Sequence, residues 1–186
     1  PRLTILDALP YDRERTSMKE FPMCPECAEE YNNPESRRFD AQPVCCNDCG
    51  PEVYLIGRDE RGREAITYTR KVIASGGIAA IKGIGGFHLC CDATNETAVA
   101  RLRELKRRKP FAIMVRNMSA VRKECQVTEV QEEVLDGHQK PILLLERLDK
   151  ADSQICPSVA PGNPKIGVML PYAPVQLLIF DYDDGI

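Results

Sequence analysis

Two pairs of cysteines constrain this chain more than any other feature. Cys24 and Cys27 form one Cys-x-x-Cys pair, and Cys46 and Cys49 form a second pair after 18 intervening residues. Two such pairs at this separation indicate a tetrahedral zinc site, because each tight turn supplies two thiolates. Four sulfur ligands leave no position for water, so the predicted zinc ion is structural rather than catalytic.

The segment around these cysteines is poor in large apolar residues and rich in Cys, Pro, Asn and Asp. Such a segment cannot build its own core, so the metal's binding energy would also be its folding energy. We therefore predict a four-cysteine zinc finger over residues 21–55, after an extended lead-in over 1–20. Cys45 competes with Cys46 as a ligand, although its spacing to Cys49 fits a zinc site less well. The alternatives are unrelated thiols, a redox pair, or a finger that reads DNA.

The composition narrows the class of protein further. An odd count of nine cysteines, with no secretory signal, favours a reducing cytoplasm and a metal site over a disulfide framework. A formal net charge of -3 gives no overall attraction to nucleic acid or to an anionic membrane. No apolar run approaches the roughly 18 residues that span a bilayer. We expect a cytoplasmic protein with no membrane partner, and we disfavour nucleic acid as a ligand.

From residue 64 onward, helix and strand patterns alternate, which predicts a layered α/β domain over 64–186. Nothing closes the domain after the apolar stretch at 175–180, so we expect it to be truncated at its C-terminal end. The predicted helices cover 65–75, 117–124 and 128–136, together with one that Thr94 or Asn95 caps and that runs to about Arg108. The predicted strands cover 78–81, 111–115, 142–145 and 166–170, and the first of them has the pattern of a buried strand.

A glycine-rich loop follows the first predicted strand and is a candidate anion site. Its residues are Lys82, Gly83, Gly85 and Gly86, with His88 just beyond. Glycines allow backbone N–H groups to approach an anion closely, and a lysine adds a positive charge. A tight turn with an outward lysine explains the loop equally well, and His88 taken alone is more often a structural histidine than a catalytic one.

A second basic element, Lys106-Arg107-Arg108-Lys109, ends a predicted helix and precedes a strand. Cations there complement the negative end of the helix dipole, which is an ordinary structural role. Two anion-compatible elements in one small α/β domain nevertheless favour a pocket for a phosphate or a nucleotide. We expect Lys82, Lys106 and Arg108 to converge on one basic cleft.

Several strings in the chain resemble the HypF family of hydrogenase-maturation carbamoyltransferases. The resemblance begins at Leu9 to Met18, which is similar to the link between that family's two fingers, and it runs nearly to the end of the chain. The start of the chain, Pro1 to Ile5, is also similar to Pro51 to Leu55, so residues 1–20 are expected to follow an earlier finger. The strings that carry the resemblance are FPMCPEC at 21–27, RRFDAQP at 37–43, CNDCGP at 46–51, AAIKGIGGFHL at 79–89, CDATN at 91–95, KPFAIM at 109–114 and GVMLPY at 167–172.

The resemblance implies roles for individual residues. Cys24, Cys27, Cys46 and Cys49 match the family's zinc ligands. The loop residues Lys82, Gly83, Gly85, Gly86 and His88 match the lining of the pocket in the family's YrdC-like domain. Lys106 and Arg108 match a Lys-x-Arg element that faces the phosphates. The fold implied is a small four-cysteine finger followed by an incomplete YrdC-like α/β domain with a twisted sheet.

The resemblance also implies an activity for the enzyme to which the chain belongs. That enzyme forms carbamoyl adenylate from carbamoyl phosphate and ATP with Mg²⁺, and it passes the carbamoyl group to the partner HypE. The group becomes the cyanide ligand of [NiFe]-hydrogenase. The chain alone is expected to be inactive. The alternatives are a YrdC/Sua5-like enzyme that makes threonylcarbamoyl adenylate for tRNA, and a zinc-dependent module that binds nucleic acid.

Overall fold

The computed structural model of the chain describes residues 4–105, 110–148 and 153–181. The chain divides into two compact units, residues 1–54 and residues 55–186. A search of the described residues finds no helix with both the length and the apolar character needed to cross a bilayer. Each unit is described below by itself.

The first unit combines a folded lead-in with the cysteine-rich segment. Two 3-10 helices, Arg13–Arg15 and Ser17–Glu20, lie on either side of Thr16, which forms an isolated antiparallel bridge with Leu6. The lead-in, which was expected to be extended, therefore contains two short 3-10 helices instead. The Thr16 hydroxyl accepts from the backbone N–H of Met18, which caps the second 3-10 helix.

One buried arginine connects the lead-in to the cysteine-rich segment. The Arg13 guanidinium donates to the carbonyl oxygens of Gln42 and Val44 at 2.7 Å each, and to that of Phe21 at 2.7 Å. Its backbone N–H donates to Gln42 Oε1 at 2.8 Å. A charged donor inside a unit this small is stable only because each of these contacts replaces water.

The second unit contains most of the regular secondary structure. Its helices are α2 (Gly62–Ala74), α3 (Glu96–Leu105), α4 (Met118–Glu124), α5 (Glu129–Asp136) and α6 (Pro174–Asp181), and the first unit holds α1 (Pro25–Asn32). Its strands are β1 (Ala79–Lys82), β2 (Phe87–Cys90), β3 (Ala112–Met114), β4 (Cys125–Gln126), β5 (Leu143–Arg147) and β6 (Lys165–Met169). A 3-10 turn, Pro157–Val159, precedes β6.

The strands form two sheets. The larger sheet has the order β3-β6-β5-β4, with β3 parallel to β6 and the other pairs antiparallel. The smaller sheet is an antiparallel hairpin of β1 and β2, in which Lys82 pairs with Phe87 and Ile81 with His88. The prediction of an α/β domain is confirmed, and the larger sheet is mixed.

The hydrophobic core lies against the larger sheet. Helices α3, α4 and α5 each contribute a buried residue, namely Val99, Val121 and Leu135. The strands meet them with Ile113, Leu145, Ile166 and Val168. Burial of these aliphatic side chains is the main favourable term in folding this unit.

The sequence pattern located most of these elements to within a few residues. Asn95 does cap α3, since its side chain accepts from the N–H of Ala98 at 3.1 Å. The four predicted strands all form, but the first is not buried: along β1, half-buried and exposed residues alternate. The elements that were not predicted are α1, β2, β4 and α6.

Candidate zinc site and glycine-rich turn

Four cysteine side chains meet in the first unit, as the two Cys-x-x-Cys pairs predicted. The sulfur atoms of Cys24, Cys27, Cys46 and Cys49 all lie within 4.8 Å of one another. Cys46 Sγ lies 3.7 Å from both Cys24 Sγ and Cys49 Sγ. Among the residues that the structure describes, this is the one cluster of such side chains close enough to hold a metal ion.

These distances fit a zinc ion with four thiolates. A tetrahedron with Zn–S bonds of about 2.3 Å has sulfur atoms about 3.8 Å apart, close to the two separations above. All four ligand positions are then filled by sulfur, which leaves none for water or substrate. The arrangement therefore suits a structural zinc ion and no catalytic one.

Local backbone structure positions each pair of cysteines. Cys24 is the N-cap of α1, Pro25 occupies its first turn, and Cys27 lies in that turn, where the helix dipole favours a thiolate. In the second pair, the Asp48 N–H donates to Cys46 Sγ and the Cys46 N–H donates to Cys49 Sγ, each at 3.4 Å. The second turn therefore directs two backbone N–H donors at sulfur.

The environment shifts the pKa values of two of these thiols in opposite directions. Burial and nearby thiols raise the pKa of Cys27 to about 12. Hydrogen bonds from the backbone of Cys24 and Cys46 lower the pKa of Cys49 to about 6. A bound Zn²⁺ would supply the positive charge that allows all four to ionise together.

The competing ligand Cys45 is excluded from the cluster. A Cβ added to Gly50 would lie 2.6 Å from Cys45 Sγ and 2.7 Å from the Cys46 carbonyl oxygen, so glycine is needed for this close approach. The Cys45 side chain thus packs against Gly50, while Cys46 joins the other three sulfurs. The prediction of Cys46 over Cys45 agrees with this geometry.

The glycine-rich loop in the second unit is the turn of the β1–β2 hairpin. The Gly83 N–H donates to the Gly86 carbonyl oxygen at 2.8 Å, which closes a tight turn. Neither Gly85 nor Gly86 would meet any atom within 4 Å if a Cβ were added. Gly83 differs from them, since its added Cβ would lie 2.9 Å from Tyr172 Oη.

Hairpin pairing separates two of the predicted site residues. Opposed residues of an antiparallel pair share a face, so Lys82 and Phe87 lie on one face and Ile81 and His88 on the other. Lys82 Nζ lies 5.8 Å from the centroid of the exposed Phe87 ring. The predicted residues Lys82 and His88 therefore point to different sides of the hairpin, although both flank the turn.

Two further residues approach this turn and were not among the predicted site residues. Tyr172 Oη lies 3.0 Å from His88 Nε2, and the two ring centroids are 6.0 Å apart. The buried Gln176 accepts from the backbone N–H groups of Tyr172 and Ala173 through its Oε1. The string Gly167 to Tyr172 contained the first of them, but nothing in the sequence placed it beside His88.

The other basic element remains untested. Lys106 and Arg108 lie outside the described residues, so their predicted convergence with Lys82 stays a prediction. Helix α3, which precedes them, is anchored through Arg103. Arg103 Nε donates to the Ser158 carbonyl oxygen at 2.9 Å, and the Arg103 guanidinium carbon lies 4.1 Å from the centroid of the Phe111 ring.

Two known protein families match separate parts of the chain, which correspond to the two structural units. The HypF finger family matches residues 23–56. The Sua5/YciO/YrdC family, described as "Telomere recombination", matches residues 71–186. The chain belongs to the Sua5/YciO/YrdC family. Its combination with a HypF finger confirms the predicted zinc finger followed by a YrdC-like α/β domain.

Individual HypF proteins match the chain along its whole length. Carbamoyltransferase HypF of Rhodobacter capsulatus is 44% identical over 189 residues, covering 100% of this chain and 25% of that protein. The crystal structure of T. kodakarensis HypF superposes with a TM-score of 0.83 at 43% identity, covering 97% of this chain and 24% of that one.

A crystal structure of full-length HypF in a phosphate- and nucleotide-bound form gives a TM-score of 0.79 at 43% identity, over 95% of this chain and 23% of that one. The predicted resemblance to HypF is therefore confirmed. The chain spans about a quarter of the length of these relatives.

Proposed function

We propose that this chain is part of a cytoplasmic carbamoyltransferase that forms carbamoyl adenylate and passes the carbamoyl group to HypE during hydrogenase maturation. The observation that carries this proposal is the joint match of both units to HypF within one chain. A YrdC/Sua5-like enzyme for tRNA would account for the second unit, but the HypF finger favours the carbamoyltransferase.

We propose a structural role for the first unit. Cys24, Cys27, Cys46 and Cys49 would hold one Zn²⁺, which supplies charge and rigidity and takes no part in the reaction. A nucleic-acid role is disfavoured by the charge of α1, whose sequence PECAEEYN carries three glutamates and no lysine or arginine. A helix of that charge would be repelled by phosphate groups.

In the second unit, we propose that the glycine-rich turn contacts the phosphates of ATP. The Gly83 N–H is already used within the turn, which leaves the N–H groups around Gly85 and Gly86 as donors to a ligand. The open space at both glycines would allow a phosphate to approach the backbone. Lys82 would add a positive charge at the edge of the turn.

The chemistry of adenylation requires such donors. Hydrolysis of carbamoyl phosphate would first release inorganic phosphate and leave carbamate. A carbamate oxygen then attacks the α-phosphorus of ATP and pyrophosphate leaves, so negative charge accumulates on the phosphate oxygens. Cations and preorganised N–H groups stabilise that charge, and Mg²⁺ shares it. Lys106 and Arg108 are the further cations that we propose for this task, and no nucleophilic side chain is needed.

The test is ATP-dependent carbamoyl transfer by the full-length enzyme that contains this chain. The paired changes Lys106→Ala and Arg108→Ala should raise the KM for ATP while leaving zinc content and thermal unfolding unchanged. Lys71→Ala, at an exposed position on α2, serves as the matched control. Unchanged ATP kinetics in the paired variant would remove these two residues from the site, and a wild-type enzyme with no ATP-dependent transfer would overturn the proposed function.

A further inference from the structure

We propose that Tyr172 is a positioning residue for the glycine-rich turn: it fixes the ring of His88 so that Nδ1–H is available to an anionic ligand such as a nucleotide phosphate. The ligand part of this inference rests on the proposed function. The positioning part rests only on the geometry around Tyr172.

The backbone at Tyr172 is held by hydrogen bonds that do not involve the tyrosine side chain. Tyr172 lies between β6 and α6, and its N–H donates to Gln176 Oε1 at 2.9 Å. The Ala173 N–H donates to the same oxygen at 3.0 Å, and Gln176 is only 6% exposed. A buried side-chain amide that accepts two backbone hydrogen bonds fixes this stretch of backbone, and with it the direction of the Tyr172 side chain.

The Tyr172 side chain then contacts both ends of the hairpin turn. Its hydroxyl lies 3.0 Å from His88 Nε2 on β2. The same hydroxyl would lie 2.9 Å from a Cβ on Gly83, at the end of β1, and Gln176 Nε2 would lie 3.7 Å from it. The backbone of Gly83 does not adopt the left-handed region, so a larger residue here would conflict with the position of the Tyr172 hydroxyl rather than with the backbone conformation.

The proposed direction of the Tyr172–His88 hydrogen bond fixes the ring tautomer of His88. Tyr172 Oη and His88 Nε2 lie within hydrogen-bond distance, and in the proposed arrangement the phenol donates and Nε2 accepts. A neutral imidazole that accepts at Nε2 carries its proton on Nδ1. Nδ1–H is then a fixed donor beside the turn, suited to a phosphate oxygen.

Nuclear magnetic resonance of the chain labelled with ¹⁵N-histidine reads the tautomer directly. The chain has two histidines, and the exposed His138 serves as an internal reference. We expect His88 to show the Nδ1–H tautomer in the wild type and to lose that preference in Tyr172→Phe. Tyr68→Phe, on α2, removes a hydroxyl from the same unit and should leave the His88 pattern unchanged.

A second pair of variants tests the same geometry without touching either ring. Gly83→Ala should displace the tyrosine hydroxyl and change the His88 pattern, whereas Gly85→Ala has open space and should not. An Nε2–H tautomer in the wild type, or a His88 pattern that is the same in Tyr172→Phe and the wild type, would overturn the positioning role.

The ligand part is tested in the full-length enzyme with MgATP. Tyr172→Phe should raise the KM for ATP by about 3–10-fold, the effect of one hydrogen bond, with a smaller change in kcat. In an enzyme that already carries His88→Asn, the same change should have no further effect. If both single variants leave the KM for ATP unchanged, His88 has no role at the phosphates. Absence of ATP-dependent transfer in the wild type would instead overturn the proposed function.

Discussion

The two units of this chain reach a folded state by different means. In the first unit, the buried hydrophobic residues among those described are Met18, Cys27 and Val44. The other stabilising contacts are the hydrogen bonds of Arg13 and the cluster of four cysteines. The second unit has an aliphatic core on a four-stranded sheet. Bound metal, rather than apolar burial, should therefore control the stability of the first unit, and it should not control the stability of the second.

The largest effect should come from loss of a zinc ligand. Cys49→Ser should reduce the metal content from about one zinc per chain to well below one, because three thiolates hold structural zinc poorly. The measurement is metal analysis of the purified chain. Cys45→Ser is the matched control, since Cys45 lies outside the cluster. Equal zinc loss in both variants would mean that the ligand set is wrong.

A substitution in the core of the second unit should have the opposite result: it should lower the stability of that unit and leave the zinc content unchanged. Leu145→Ala should lower the free energy of unfolding of that unit by about 2–5 kcal/mol, because Leu145 is fully buried on β5. Zinc content should not change. Leu144→Ala, at the adjacent and exposed position, should cost far less. Denaturant unfolding together with metal analysis checks both, and zinc loss in Leu145→Ala would break the distinction between the units.

A smaller effect should follow removal of the buried arginine. Arg13→Met leaves three carbonyl oxygens without their donor and should cost about 2–3 kcal/mol, or roughly 30–150-fold in zinc affinity if folding and metal binding are coupled. Competition with a chelator of known affinity measures this. Arg15→Met, which removes an exposed side chain, is the control. Identical affinities would show that the lead-in does not support the zinc site.

The smallest expected effect is the release of protons from the cysteine thiols when zinc binds. Burial raises the pKa of Cys27 to about 12, and the pKa of Cys46 is also raised, so both are protonated at pH 7 without metal. Zinc binding should then release roughly two or more protons, and apparent affinity should rise with pH. Calorimetry in buffers of different ionisation enthalpy counts the protons. A binding reaction that releases none would contradict the assigned thiol states.

The sequence predicted the four-cysteine cluster well, because which cysteines meet depends on local spacing. The two Cys-x-x-Cys pairs indicated Cys46 rather than Cys45, and the structure brings Cys46 to the other three sulfurs. The helices α2, α4 and α5 were predicted to within a few residues. In the structure, Asn117 and Thr128 each accept a backbone N–H at the start of α4 and α5. Features that depend only on local sequence can be predicted without knowing the long-range contacts of the fold.

The sequence predicted the glycine-rich turn less well, because that site depends on pairing and long-range contacts. Treating the glycines as a phosphate loop hid β2, whose register puts Lys82 and His88 on opposite faces. Tyr172 meets His88 from 84 residues away, a contact that no local pattern contains. The helix α6 carried one usable signal, Pro174 at its start, but its apolar run has no clear period.

Hydrogen–deuterium exchange of the chain, before and after zinc removal by a chelator, tests the central contrast most directly. Peptides from the first unit should lose protection throughout 4–54 when zinc is removed, because little else holds that unit together. Peptides covering β5 and β6 should exchange at the same slow rate in both samples. Loss of protection in both units together, or in neither, would contradict the account of one unit folded by metal and the other by its hydrophobic core.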